Sequence, residues 1–235
     1  MKIIAHRGAS SSAPQNTMPA FEEGWNCGSD GVEMDLHLTV DGKIAVIHDA
    51  STGNLTDNDL VVADSTMEEL KKLDAGIKSG DKWIGTRIPE LSEVLAVAPS
   101  GKELVLELKV GAAILPVLKT YIDDFGVAEE DLVIISFNDS VFAAKDFFPC
   151  AKCYFLESDP EKLPASIAKS ADAGIEGVDL LWSIVDALVM KVAKVAGLDI
   201  YVWTVDDVNI AQKMKSLGVS GLTTNTPAEM IAISM

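Results

Sequence analysis

Gly31-Val-Glu-Met-Asp-Leu-His-Leu-Thr-Val-Asp-Gly-Lys-Ile-Ala-Val-Ile-His-Asp49 alternates strictly through its first half. Val32, Met34, Leu36 and Leu38 fall on one side and Glu33, Asp35 and His37 on the other, the period of two of a β-strand. Residues i and i+2 of a strand lie roughly 6.5–7 Å apart at Cα. The Glu33 and Asp35 carboxylates therefore reach a common point and suit one hard divalent cation such as Mg²⁺ or Ca²⁺. A solvated strand face would show the same alternation, so the functional reading needs partners elsewhere in the chain. Asp41-Gly42 is a hairpin signal, and Lys43 to Ile47 reads as a return strand that brings His48 back towards the carboxylates.

Outward from this stretch the chain repeats one rhythm. Lys2 to Ala5 is a short apolar run ending at His6-Arg7-Gly8, then a loop of small residues and proline leads to a helix from Met18 to Asn26. Beyond the hairpin, residues 49–88 interrupt the pattern. Turn residues occupy 52–59, Ser65-Thr66-Met67-Glu68 reads as a capping box opening a short helix, and Trp83 lies near the end. The segment is expected as an excursion over the active-site face. A helix follows over 89–98, and then Glu103-Leu-Val-Leu-Glu-Leu-Lys109 alternates as cleanly as the first acidic strand, with Glu107 and Lys109 sharing a face. Strands at 132–137, 152–156, 177–179, 199–205 and 221–224 then alternate with helices at 114–125, 140–148, 162–173, 184–196, 207–217 and 227–233. Without the hairpin return there are eight strands. Eight strands joined through helices predict an α/β fold of the TIM type, a closed parallel (β/α)₈ barrel in one domain spanning 1–235, with the small insertion after the second strand. The stripe Val189, Val192, Ala193 and Ala196 is expected to pack a helix onto the barrel.

Composition narrows the class. A 235-residue chain with nearly half its residues apolar supports one large core. Its formal charge of −17 argues against nucleic acid and anionic membranes as partners. Three cysteines make no disulfide framework, and the isolated Cys150-x-x-Cys153 lacks a second pair for zinc. His6 comes too early to leave room for a signal peptide, and no apolar run approaches membrane-spanning length, which points to the cytoplasm. An acidic protein that takes a phosphate ester needs local positive charge. A bound cation with Arg7 and Lys109 supplies it, and carboxylates beyond a Debye length of about 8 Å matter little.

In parallel barrels chemistry sits at the carboxyl ends of the strands. His6 and Arg7 end the first strand, Glu33 and Asp35 lie late in the second, Glu107 and Lys109 end the third, and Trp203 is near the end of the seventh. Each alone has an ordinary structural explanation; their joint placement at one rim does not. Taken in order, His6-Arg7-Gly8, Asn16-Thr17, Glu33-x-Asp35, Asp41-Gly42, His48-Asp49, Glu107-x-Lys109, Trp203-Thr204 and Thr224-Asn225-x-Pro227 resemble the glycerophosphodiester phosphodiesterases, related in fold to the phosphatidylinositol-specific phospholipases C.

The resemblance implies a metal held by Glu33, Asp35 and Glu107, with His6 and His48 as the acid–base pair. It also implies that Arg7 and Lys109 hold phosphate oxygens and that Trp203 lines the glycerol end of the pocket. The implied route starts at the metal-activated glycerol 2-hydroxyl, which loses its proton to one histidine and attacks phosphorus while the other histidine protonates the departing alcohol. Water then opens the cyclic phosphate to give sn-glycerol 3-phosphate. His6 is assigned as base and His48 as acid, an order the sequence itself leaves open, and a bell-shaped pH profile of kcat/KM is expected. Mg²⁺, Ca²⁺ and Mn²⁺ all accept such a carboxylate set.

Two departures stand out. The family's Pro-Glu-Asn-Thr is here Pro14-Gln15-Asn16-Thr17, and the Arg-Thr-Thr that often follows His-Asp is replaced by Ala50 to Thr56 without a basic residue. Activity is expected to survive the first; the second leaves head-group selectivity open. His37 reads as a neighbour beyond the metal. The expected substrates are glycerophosphodiesters such as glycerophosphocholine or glycerophosphoethanolamine. The competing readings are a lysophospholipase-D-like lipid phosphodiesterase, for which no basic amphipathic stretch is evident, a non-catalytic phosphodiester-binding barrel, and, on fold alone, a barrel aldolase or isomerase. The sequence leaves oligomeric state open.

Overall fold

The computed structural model describes residues 1–234. Nine strands form one sheet: β1 (Lys2–Ala5), β2 (Gly31–Leu38), β3 (Ile44–Val46), β4 (Glu103–Leu108), β5 (Leu132–Ser136), β6 (Lys152–Glu157), β7 (Gly177–Leu181), β8 (Asp199–Trp203) and β9 (Gly221–Thr224). All but β3 run parallel, in the order β1-β9-β8-β7-β6-β5-β4-β2, and pairing of β1 with β2 closes the ring. This is the expected TIM-type (β/α)₈ barrel. One edge of β2 is shared in sequence: Gly31 and Val32 pair with β1, while Leu36 to Leu38 pair with antiparallel β3. The hairpin return thus extends the sheet without entering the barrel wall.

Helices α1 (Met18–Asn26), α4 (Leu115–Phe125), α5 (Ser140–Phe147), α6 (Leu163–Asp172), α7 (Ala187–Val195), α8 (Val208–Leu217) and α9 (Pro227–Ser234) are the longer connections; α2 (Met67–Leu70) and α3 (Leu91–Leu95) are short. The outward apolar residues of the strands pack beneath them, with Val32, Met34, Leu36, Leu104, Leu106 and Leu108 all in one buried cluster. The polar side of β2 therefore faces the barrel interior rather than water.

Several local expectations shift. The capping box of α2 is one residue later than read, Thr66 to Glu69, because the Thr66 hydroxyl accepts from the Glu69 amide and the Glu69 carboxylate accepts from the Thr66 amide. The helix expected over 89–98 is limited to α3, which Glu90 and Glu93 close with a second reciprocal cap. Helix α7 starts at Ala187, not Ile184, because Asp186 caps it by accepting from the Val189 amide. Its buried face centres on Ala193, flanked three residues either way by Met190 and Ala196, whereas Val192 turns to solvent at 44% exposure and is not core.

Residues 49–88 build a small cluster of their own, with Val62, Met67, Leu70, Leu73, Ala75 and Ile88 packed on Ala45 and Ile47 of the hairpin return. The barrel interior holds another, from Ile4, Val105, Val133, Ile135, Tyr154, Leu156 and Tyr201. The rings of Tyr154 and Tyr201 meet edge to face at 4.9 Å. Below them Glu103 accepts from Lys2 at 2.6 Å, Lys152 at 2.9 Å and Tyr201 at 2.7 Å. A buried carboxylate so supplied is fully paired, and it plugs the amino-terminal end of the barrel.

Gly221 makes room for this plug. A Cβ there would sit 2.5 Å from Tyr201 Cζ, and the ring is pinned by Tyr154 and Glu103. Gly221→Ala is expected to destabilise the protein by about 1–3 kcal/mol. Gly111→Ala, where a Cβ meets nothing within 4 Å, is expected to stay within about 0.5 kcal/mol. Urea denaturation of the two variants checks the contrast.

Candidate active site

At the opposite end the strands deliver acids and bases to one cleft. Asp35 and Glu107 are register partners on adjacent β2 and β4, and Glu33 lies one inward position earlier on β2. One oxygen from each of Glu33, Asp35 and Glu107 lies within 4.8 Å of the others. Asp35 is fully buried and Glu33 nearly so. Three carboxylates this close in a poorly hydrated site repel one another, and the surrounding residues show how the fold contains them.

Asp35 takes most of the compensation. Asn16 Nδ2 donates to its Oδ2 at 2.6 Å, Arg7 Nε stands 3.2 Å from the same oxygen, and Lys109 Nζ stands 3.2 Å from Oδ1. Burial works against its charge, but the cations of Lys109 and Arg7 hold the Asp35 carboxyl below its usual range. Glu107 accepts from Lys109 at 2.7 Å. Burial, and then repulsion from Asp35, nevertheless lift it to about 7. Glu33, which accepts from the Arg7 amide at 2.9 Å, is pushed well above the usual carboxylate range by burial and by both acidic neighbours. Asp35 Oδ1 is buried with no aligned hydrogen-bond donor. Three buried carboxylates facing only the Arg7 and Lys109 cations are the donor set of a hard divalent cation.

His6 and His48 flank the cluster. His6 Nε2 lies 3.9 Å from Glu33 Oε2. Its Nδ1 is 2.7 Å from Asn225 Oδ1. The amide of Asn225 is oriented by Asp206, whose carboxylate accepts from Asn225 Nδ2 at 2.7 Å and from its backbone N–H at 2.8 Å. An amide whose nitrogen faces a carboxylate turns its oxygen to the histidine, so His6 carries its proton on Nδ1 and offers the Nε2 lone pair to the cleft. Burial, reinforced by the Arg7 charge, lowers the pKa of His6 to about 4, so the ring is neutral around pH 7. His48 is fixed in the same sense: its Nδ1 pairs with Asp49 Oδ1 at 2.8 Å, and Asn54 donates to the other Asp49 oxygen.

The eight residues singled out in the sequence meet in space. His6, Arg7, Glu33, His48, Glu107, Lys109 and Trp203 all line one cleft, and Asp35 lies directly behind it. His37 is not in the three-carboxylate cluster, and its Nε2 lies 3.1 Å from the His48 backbone carbonyl. Gln15 accepts from Arg7 Nη1 at 2.6 Å. The residue that stands for the family's glutamate thus hydrogen-bonds Arg7 but contributes no charge. Asn16, Asn225 and Asp49 entered the sequence reading only as parts of motifs; each proves to hold a site residue. Asp206, Asp179 and Thr223 were not singled out. A lone polar residue on an inward position of an apolar strand, as in Gly177-Val-Asp-Leu-Leu181, is the signal that would have found Asp179.

Two outcomes follow from the electrostatics. In chelator, Glu107 titrates near 4.5 in the unfolded chain and near 7 in the folded one, so the native state holds a proton that unfolding releases. Stability should therefore fall as pH rises from about 5 to 8. Glu107→Gln should remove on the order of 2–3 kcal/mol of that fall in urea titrations. His6 acts oppositely, costing stability as pH drops from 6.5 towards 4. Nitrogen NMR near neutral pH should find the His6 proton on Nδ1, and Asp206→Ala, which frees the Asn225 amide to turn over, should populate the Nε2–H form.

The sequence profile of the glycerophosphoryl diester phosphodiesterase family matches residues 6–229. A glycerophosphodiester phosphodiesterase of Caldanaerobacter subterraneus subsp. tengcongensis is 36% identical, over 97% of this chain and 96% of the relative. One of Bacillus altitudinis is 29% identical over 99% and 97%. Among solved structures, an Oleispira antarctica phosphodiesterase in complex with the product sn-glycerol-3-phosphate superposes with a TM-score of 0.92 at 25% identity, covering 100% of this chain and 96% of the other. The Thermotoga maritima glycerophosphodiester phosphodiesterase gives 0.82 at 22%, over 99% and 98%, a likeness of fold. With a family match running from His6 into the last helix, this chain belongs to the glycerophosphoryl diester phosphodiesterase family.

Proposed function

We propose that the protein hydrolyses glycerophosphodiesters such as glycerophosphocholine and glycerophosphoethanolamine to sn-glycerol 3-phosphate and the free alcohol. Glu33, Asp35 and Glu107 would hold one divalent cation, Mg²⁺ or Ca²⁺, with Mn²⁺ as a third candidate. The observation that carries this reading is the meeting of two histidines, each with Nδ1 tied to an acceptor, beside three carboxylate oxygens within 4.8 Å of one another. A pure binding barrel has no use for two proton-transfer groups. The product seen in the Oleispira antarctica phosphodiesterase agrees with it.

When bound, the cation supplies electrostatic stabilisation for the charge that develops on the phosphoryl oxygens. The protein's own groups do the rest. Arg7 and Lys109 hold phosphate oxygens. Both cations are already drawn to Asp35, so their positions are set before substrate arrives. His6, neutral and with a free Nε2, takes the proton of the glycerol 2-hydroxyl, whose oxygen attacks phosphorus. The bond from phosphorus to the departing alcohol breaks, and His48 donates a proton to the alkoxide. Water then opens the cyclic ester, with the histidines reversing their roles. Trp203 covers the glycerol end of the cleft.

We further propose that the barrel and residues 49–88 work as one catalytic domain, with 49–88 over the site through Asp49 and Asn54, which steady His48. A cytoplasmic setting is supported by three free cysteines, and no helix among the described residues is long and apolar enough to cross a membrane.

Incubation with glycerophosphocholine should release sn-glycerol 3-phosphate, and chelator should stop it. His6→Ala and His48→Ala should each lower kcat by about 10²–10⁴-fold. Glu33→Ala should abolish both turnover and the rise in melting temperature that added Mg²⁺ gives the wild type. Undiminished turnover in chelator would remove the cation from the mechanism, and an unimpaired His6→Ala would remove the base.

A further inference from the structure

Two polar side chains in the cleft take no part in the proton transfers or phosphate contacts above: Asp179 on β7 and Thr223 on β9. They are 1% and 2% exposed, and Asp179 Oδ1 and Thr223 Oγ1 each lack a hydrogen-bond partner. Seven buried side-chain polar atoms among the described residues are in that position. Arg7 Nε and Asp35 Oδ1 are accounted for by the cation and phosphate end of the site; Asp179 and Thr223 line the same cleft but are not part of the three-carboxylate cluster, although the Glu107 charge reaches Asp179. Beside Asp179 the neighbouring strands present apolar and aromatic side chains. Leu156 and Tyr201 are the register partners of Asp179, and Trp203 Nε1 donates to the Asp179 backbone carbonyl at 3.3 Å. An unpaired buried carboxyl weakens a fold, and unpaired groups that persist in native sites point to a ligand that pairs them.

A phosphodiester has two alcohol arms. Its phosphate belongs beside Arg7, Lys109 and the carboxylates. Asp179 and Thr223 belong to the buried part of the cleft lining, whereas Phe137 is 47% exposed. A small arm of fixed size suits the buried part and a head group of variable size suits the exposed rim. The glycerol arm brings two hydroxyls. The 2-hydroxyl must stay at His6 to react, so the 1-hydroxyl is the group that would otherwise be buried unpaired. Resting on the phosphodiesterase reading above, we propose that Asp179 and Thr223 bind the free 1-hydroxyl of the glycerol arm and thereby determine specificity. Diesters whose 1-hydroxyl is missing or acylated are rejected, which excludes lysophospholipids from the site. Burial, with Glu107 second, raises the Asp179 carboxyl well above its usual range. As a neutral acid it can donate as well as accept, and an amide can stand in for it.

The test is calorimetric binding of sn-glycerol 3-phosphate and its 1-deoxy analogue to the Mg²⁺-loaded wild type, Asp179→Ala, Asp179→Asn and Thr223→Val, with turnover of glycerophosphocholine and melting temperatures recorded alongside. The wild type should bind the deoxy analogue at least about 30-fold more weakly. Asp179→Ala should weaken sn-glycerol 3-phosphate by about 10–100-fold and leave the analogue within about threefold, and Thr223→Val should act in the same sense by about fivefold. Asp179→Asn should restore most of the discrimination. Asp179→Ala should melt no lower than the wild type, whereas a structural role would lower it. Equal wild-type affinity for the two ligands overturns the proposal. So does equal weakening of both by Asp179→Ala, or loss of the Mg²⁺-induced stabilisation in that variant, which would place Asp179 in the metal set. Should Asp179→Ala fail to fold, Thr223→Val decides by the same ratio. Absent turnover with an intact binding ratio would instead count against the diesterase reading and leave the hydroxyl site standing.

Discussion

Three acidic side chains crowded into a buried space are the condition to which the rest of the site answers. Their mutual repulsion is only partly offset within the protein: Asp35 is held by two cations and the Asn16 amide, while Glu33 and Glu107 are left with carboxyls that resist ionisation. Two cations facing three acids leave a deficit of positive charge centred on the cleft. Such a site stores an electrostatic demand that a divalent ion meets, and that demand is larger in a low-dielectric interior than at a surface. The barrel makes it sustainable because rigid neighbouring strands fix where each carboxylate starts, so the groups cannot relax apart into water.

The strand β4 shows the same residue type put to two ends. Glu103 and Glu107 lie four residues apart and both point inward. Glu103 meets two lysines and a tyrosine hydroxyl, which offset its burial and hold it below its ordinary range; Glu107 meets one lysine and the Asp35 charge, and is lifted to about 7. The first closes the floor of the barrel and the second stands at its open end. A glutamate satisfied by its surroundings is structural, whereas one left partly unsatisfied is available to a ligand.

Much of this was readable in the chain because alternation on a strand is a local property. Glu33 with Asp35, and Glu107 with Lys109, declare a shared face within three residues, and the succession of apolar strands and helices limits the fold to a closed parallel barrel. What could not be read depends on contacts between distant segments. The tautomer of His6 is set by Asn225 and Asp206, more than 190 residues away along the chain. Asp179 looks like any acid near a strand end until the register of β7 puts it inside the barrel. The differences are of phase and extent: the α2 cap lies one residue on, the buried face of α7 is rotated past Val192, and α3 and α7 are shorter than their patterns, because propensity fixes the kind of element more firmly than its rotation or its ends.

The net charge of −17 looks unfavourable for a substrate bearing a phosphate. Over distances longer than the roughly 8 Å screening length, however, the acidic surface offers little guidance, so the groups at the cleft itself decide how a diester sits. In the proposed mode Arg7 and Lys109 would hold the phosphate. The glycerol arm would enter the buried part of the cleft with its 2-hydroxyl at His6 and its 1-hydroxyl at Asp179 and Thr223, and the head group would stay at the exposed rim beside Phe137. Charge would then place the phosphate, and hydrogen bonding in the buried part of the cleft would test whether the arm that has entered is an unmodified glycerol.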